Sequence, residues 1–167
     1  KIMNLPYPGG PVLDKLAQLG NPKAYSFPIS NIPNFDYSFS GLKTAVLYFL
    51  QEEMKKNPQF IDENKADIAA SVQFTIIETL FRKLVKATEV ENITSIAISG
   101  GVSANSGLRE RLMTEGEKRG WKTYIPKFEY CTDNGAMIGI AGYFQFKNDN
   151  TSKQVNLNGA PKARWEM

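Results

Sequence analysis

An α/β domain with parallel strands is the fold that this 167-residue sequence predicts, and three observations predict it. Segments of helical periodicity alternate with short apolar stretches along most of the chain, as right-handed crossovers between parallel strands produce. One of these stretches, SIAIS at 95–99, breaks into Gly100 and Gly101 just before a helical run, which is the pattern of a strand-to-helix turn. The composition, 42% hydrophobic and 22% charged, is that of an ordinary folded protein rather than a disordered or fibrous one.

The elements follow in order. PYPGGP at 6–11 reads as a loop, and PVLDKLAQLG at 11–20 as a short helix with Pro11 in its first turn and Gly20 at its end. AYSFPI at 24–29 alternates as a strand does, and a polar-aromatic connection follows. Ser40 is placed to cap a helix from about 41 to 56, whose Leu42, Val46, Phe49 and Leu50 share a face and which Asn57-Pro58 stops. The longest periodic segment, 62–90, repeats Ile68, Val72, Ile76, Leu80 and Leu84 every fourth residue behind a capping Asp62. After SIAIS and the glycines come a helix at 106–119 closed by Gly120, a strand at 122–126 and a helix at about 134–146 that carries Ala136, Met137, Ile140, Ala141 and Phe144. The polar tail from 148 reads as irregular apart from an anchoring Trp165, so the expected division is 1–147 and 148–167. Three strands make a small sheet for so many helices. The chain also opens on Lys1 as if within a helix, and reads as part of a longer sequence.

Several chemistries are narrowed by what the chain lacks. It has no histidine, hence neither the commonest metal ligand nor the commonest general base. The single Cys131 permits no intrachain disulfide and reads as packing. The longest apolar runs, such as TAVLYFL at 44–50, fall short of a bilayer span and no signal peptide is visible, so the expected location is the cytoplasm, without membrane partners. A net charge of +3 does not by itself imply nucleic-acid binding, although residues 105–127 hold six Lys or Arg against three Glu.

The chemistry that is visible gathers at two loops. In a parallel sheet, ligands collect beyond the carboxyl ends of the strands, where a loop entering a helix aims backbone N–H groups at the crevice. Gly100 and Gly101 suit such a loop, since glycine allows positive φ and close approach of a ligand. Asn105 either caps the following helix or turns its amide toward a ribose or phosphate. Neither G-x-x-x-x-G-K-[ST] nor G-x-G-x-x-G is present. In YCTDNGAMIGIAGYF at 130–144, Asp133 either caps the helix or presents a carboxylate to a metal that takes further ligands from elsewhere. Ser40-Gly-Leu-Lys43 matches S-x-x-K, but its companion signatures S-D-N and K-T-G are missing, so Ser40 is read as a cap and Lys43 as a surface cation.

YPGGPVLDKLA, FDYSFSGLKTAV, AISGGVSANSGLRERL and YCTDNGAMIGIAGYF, in that order and followed by KARWEM, together resemble the carboxyl-terminal half of the tRNA threonylcarbamoyladenosine transferase family, formerly described as O-sialoglycoprotein endopeptidase or glycoprotease. The resemblance implies an actin-like, Hsp70-like ATPase fold of two ribonuclease-H-like lobes, here with an incomplete sheet. It implies transfer of threonylcarbamoyl from threonylcarbamoyl-adenylate to the exocyclic amine of the adenosine beside the anticodon, in tRNAs that read codons beginning with A. By the same analogy Gly10, Asp14 and Asn105 contact the adenylate, Gly100 and Gly101 line its phosphate side, and Asp133 is a ligand to an iron or zinc ion. Partners would be tRNA and the paralogous and ATPase subunits of a bacterial modification complex. The family completes its metal site with two histidines from its amino-terminal half, which this chain lacks. The chain alone is therefore expected to bind iron or zinc poorly, to transfer nothing, and to self-associate through open sheet edges. The alternatives are another actin-like carbamoyltransferase or sugar kinase, a metalloprotease, and a non-catalytic scaffold.

Overall fold

The computed structural model describes residues 2–148. The expected tail beyond them, with Trp165 and KARWEM, lies outside the described residues. The chain divides into two compact units, Lys1–Thr132 and Asp133–Met167.

In the first unit the order is α1 (Gly9–Ala17), α2 (Ser40–Lys56), α3 (Phe60–Glu91), β1 (Ser95–Ala97), α4 (Ser106–Arg119) and β2 (Lys122–Tyr124). Short 3₁₀ turns follow β1, at Gly101–Ala104, and β2, at Phe128–Tyr130. The two strands pair in parallel, with Ser95, Ile96 and Ala97 opposite Lys122, Thr123 and Tyr124, as a β-α-β crossover through α4 requires. Both are shorter than the sequence suggests. Among the described residues the sheet has these two strands rather than three.

The missing strand is the AYSFPI segment, which docks on α3 instead of pairing. The Tyr25 N–H donates to Ser71 Oγ (3.1 Å), so its donor serves a helix rather than a strand ladder. The Tyr25 ring lies 5.0 Å from Phe49 and 5.8 Å from Phe60, and Phe27 lies 5.5 Å from Phe49. Pro28 removes another donor from the segment. The apolar alternation thus feeds an aromatic cluster between helices.

The 32-residue α3 is the spine of this unit, roughly 48 Å long at 1.5 Å per residue. Its first half carries one core cluster, with Leu50, Ile61, Ile68, Ala69 and Ala70 buried against α1 and α2. Its second half carries another, with Phe81 against Ile96, Leu108 and Leu112. Ile68 is buried in the first cluster and Val72, Leu80 and Leu84 pack partly buried against the two, as their spacing predicts, whereas Ile76 belongs to neither cluster and lines a cavity. The helix kinks at Asn64 (φ −118°, ψ 17°), where the Asn64 amide donates to the Phe60 carbonyl and accepts from the Tyr25 hydroxyl. A side chain inserted into the hydrogen-bond ladder is a sufficient cause of a kink.

Two expected caps are not caps. α2 begins at Ser40 itself, with Phe39 in the cap position and no side-chain cap bond, because the ladder starts one residue earlier with Lys43 N–H donating to Phe39 O. α3 begins at Phe60 rather than Asp62, because Asn57 forms the entry turn by accepting from the Gln59 N–H (3.0 Å). Asp62 sits in the first turn, paired with Lys65. The far end of α4 behaves as expected, closed by Gly120 in the left-handed conformation (φ 67°). In the second unit, α5 (Gly135–Asn148) occupies the expected span, and Asn134 Oδ1 rather than Asp133 accepts from its first turn, from the Met137 N–H at 3.1 Å.

Candidate functional site

A cavity of about 830 Å³ opens between α1, the middle of α3, the glycine turn after β1 and the start of α4. Gly10 and Asp14 enter its wall from α1, and Gly101 and Asn105 from the glycine turn and its junction with α4. Four of the five residues expected to meet a nucleotide therefore line one cavity. Gly100 is not part of the lining and shapes the turn: its φ of +75° with ψ of −179° is a conformation essentially reserved for glycine. Ser103 closes that turn, with its N–H and its hydroxyl both donating to the Gly100 carbonyl, at 3.0 and 2.6 Å.

Asn105 resolves the choice between cap and free handle. Its Oδ1 accepts from the Leu108 N–H (2.9 Å), which is N-capping of α4. Its Nδ2 donates to Asp14 Oδ1 (3.0 Å) and to Gln73 Oε1 (2.7 Å). With a donor facing two acceptors and an acceptor facing an N–H, only one amide orientation fits.

Asp14 occupies the position at which a helix end attracts an anion. It accepts from the Ser106 N–H, at 3.2 Å to Oδ1 and 3.1 Å to Oδ2, and from the Ser106 hydroxyl at 2.8 Å. A carboxylate there satisfies an orphan N–H and is favoured by the helix dipole. The amino end of α4 is thus filled from within the chain by α1. Gln18 extends the network by donating to Ser106 Oγ (2.9 Å). Lys15 also lines the cavity, and the rest of the lining is mainly apolar, with Ile76, Ile77 and Leu80 of α3 together with Val102 and Phe128.

Sequence reasoning missed Gln73 and Phe128. A signal for Gln73 existed: it is the polar residue on the stripe Ala69, Gln73, Ile76 and Leu80, where a core helix would carry another apolar side chain. Phe128 follows no periodic pattern. Its ring stands 4.0 Å from the Arg109 guanidinium, which in turn donates to the carbonyls of Ser103 (2.6 Å) and Pro126 (2.7 Å) and to Cys131 Sγ (3.1 Å). Cys131 is accordingly a buried packing residue and acceptor.

Away from the cavity, Glu115 bridges two arginines of α4, with Arg119 Nε at 2.9 Å and Arg111 at 3.3 Å. The hydrogen bond from Arg119 holds the Glu115 carboxyl below the usual carboxylate range, and the same bond raises Arg119. Arg111 and Arg119 reach on to Glu78 and Glu89 of α3, both at 3.0 Å. These contacts fasten α4 to α3 beside the site and take no part in it.

Asp133 is the first residue of the second unit. Among the described residues no three His, Cys, Asp or Glu side chains gather at one point. These residues do not by themselves make a metal site.

A glycine turn at the carboxyl end of a parallel strand, entering a capped helix beside a cavity with a polar end, is an arrangement in which α/β proteins commonly place a ligand. The sequence profile of the family described as tRNA N6-adenosine threonylcarbamoyltransferase matches residues 1–140. The chain belongs to that family. It is 57% identical over 146 residues to the tRNA N6-adenosine threonylcarbamoyltransferase of Christiangramia forsetii, an alignment covering 87% of this chain and 43% of that protein. With those of Cytophaga hutchinsonii and Clostridium perfringens (strain SM101) it shares 53% and 46% identity, each alignment covering 98% of this chain and 48% of the relative. The chain thus spans less than half the length of these relatives.

Proposed function

We propose that this chain supplies the adenylate-binding cavity of a tRNA N6-adenosine threonylcarbamoyltransferase. The observation that carries this reading is that Gly10, Asp14, Gly101 and Asn105 line one cavity. The whole protein would have the actin-like, two-lobed fold and act in the cytoplasm with tRNA and the subunits of a modification complex. Among the described residues no helix is long and apolar enough to cross a membrane.

In the reaction so assigned, the N6 amine of the tRNA adenosine attacks the carbamoyl carbon of threonylcarbamoyl-adenylate. A C–N bond forms, the bond from that carbon to the phosphate oxygen breaks, AMP departs, and the amine loses a proton. The chain's own contribution is orientation. Asp14, Asn105 and Gln73 hold one another in a fixed arrangement, so the polar end of the cavity needs little reorganisation when a nucleotide enters. The apolar walls exclude water from a mixed anhydride that water would hydrolyse. Asp133 would be one ligand of an iron or zinc ion whose other ligands lie outside this chain. When bound, the ion would supply Lewis acidity and orientation.

The test is incorporation of labelled threonine into tRNA, with ATP and bicarbonate, by the complete enzyme together with its partner proteins. Wild type is expected to incorporate label, and Asp133→Ala is expected to lose both incorporation and stoichiometric metal by elemental analysis. A folded, metal-loaded wild type that incorporates nothing would overturn the assignment. Full metal in Asp133→Ala would remove the ligand role alone.

A further inference from the structure

We propose that Phe128 is the surface on which an adenine ring stacks inside this cavity, making it a determinant of base recognition. The inference rests on the reading of the cavity as an adenylate site, and adds to it a residue and the chemistry that this residue selects.

Phe128 lines the cavity yet is 64% exposed. Lone exposed aromatics are common on protein surfaces and mean little alone. This ring differs because one face is already backed. The Arg109 guanidinium lies 4.0 Å from the ring centroid, and that guanidinium is fixed by Ser103 O, Pro126 O and Cys131 Sγ. The backbone beneath the ring is fixed too, since the Cys131 N–H donates to the Phe128 carbonyl at 3.1 Å. A held ring loses little conformational entropy when a ligand lies against it.

The same geometry selects the ligand. A cation on one face of an aromatic ring draws on its quadrupole, leaving the open face a poorer partner for a second cation and a better one for a flat, neutral, electron-rich ring. A purine is such a ring. The cavity's other features agree, because apolar side chains of α3 offer a second wall for the base while Asp14, Asn105 and Ser106 gather at a polar end. The adenine could belong to the adenylate or to the tRNA adenosine; the shared chemistry is the purine face.

Titration calorimetry on the complete enzyme and its variants separates the sources. The probes are AMP, ribose 5-phosphate, and an anticodon stem-loop RNA with either adenosine or an abasic nucleotide following the anticodon. Base–aromatic stacking is worth enough that Phe128→Ala is expected to weaken one adenine-carrying probe about 10-fold or more. Binding of the matching base-free probe should not change, the melting temperature should hold, and Phe128→Trp should restore affinity. A loss confined to AMP assigns the ring to the nucleotide, and a loss confined to the adenosine-containing RNA assigns it to the tRNA. The proposal is overturned if Phe128→Ala leaves both adenine-carrying probes unaffected, if the base-free probes weaken equally, or if wild type binds neither adenine-carrying probe. In the complete enzyme, threonine incorporation that persists in Phe128→Ala at unchanged apparent affinity would overturn this inference while leaving the transferase assignment standing.

Discussion

Asn105 answers to three neighbours at once, and its substitutions separate their contributions. Asp is as good an N-cap as Asn in general, so capping alone makes Asn105→Asp harmless. Here the replaced Nδ2 faces Asp14 and Gln73 Oε1, so the variant sets an acceptor against two acceptors and a charge against a charge. We expect Asn105→Asp to lose about 1–3 kcal/mol in urea denaturation and to be less stable than Asn105→Ser, which keeps a cap without the repulsion. Equal stability of the two variants would show that repulsion from Asp14 and Gln73 Oε1 contributes nothing. At this scale the sequence was legible in part. The cap at Asn105 could be read from its place before a helical run, but Gln73 could not be assigned a role, because nothing local in a long helix says which distant turn its polar residue will face.

Among the elements, the chain leaving α1 comes closest to α3 at Gly20. A Cβ built on Gly20 would stand 2.1 Å from the Ala66 carbonyl oxygen, and that obstacle is backbone, unable to swing aside. Around it the Asn21 N–H donates to Asp67 Oδ1 (2.7 Å) and the Ser71 hydroxyl to Asn21 O (3.3 Å), so the chain leaving α1 is sewn along α3. Gly20→Ala should therefore cost about 1–3 kcal/mol, the usual range for overpacking, and should weaken AMP binding because α1 carries Gly10 and Asp14. An unchanged urea midpoint would contradict this. Element types were legible wherever periodicity ran long, as in α3 and α4. The AYSFPI segment misled because alternation reports only that alternate side chains are buried, and an aromatic cluster against a helix buries them as well as a sheet does. The helix start at Ser40 was displaced because the backbone ladder begins at Phe39, and the start at Phe60 because the Asn57 side chain sets an entry turn ahead of Asp62.

For the whole molecule, acid stability is expected to depend on the clamp between α3 and α4. The Glu115 carboxyl is held below its ordinary value, first by the hydrogen bond from Arg119 and then by the charge of Arg111. A carboxyl lowered by folding adds stability that is fully present above its unfolded pKa and is lost as pH falls through the lowered, folded value. Melting temperature should decline over that acidic window, and Glu115→Gln should flatten this limb while lowering stability near neutrality. A Glu115→Gln profile parallel to wild type would show that other carboxylates govern the acid limb. The cavity lock has a different consequence at this scale. Asp14, Gln73 and Asn105 lie up to 91 positions apart in the chain, so the pocket exists only when α1, α3 and α4 are all in place. Whatever binds there binds the native state and not the unfolded chain, so its affinity is linked to the folding equilibrium and a saturating nucleotide would raise the melting point of the three helices together.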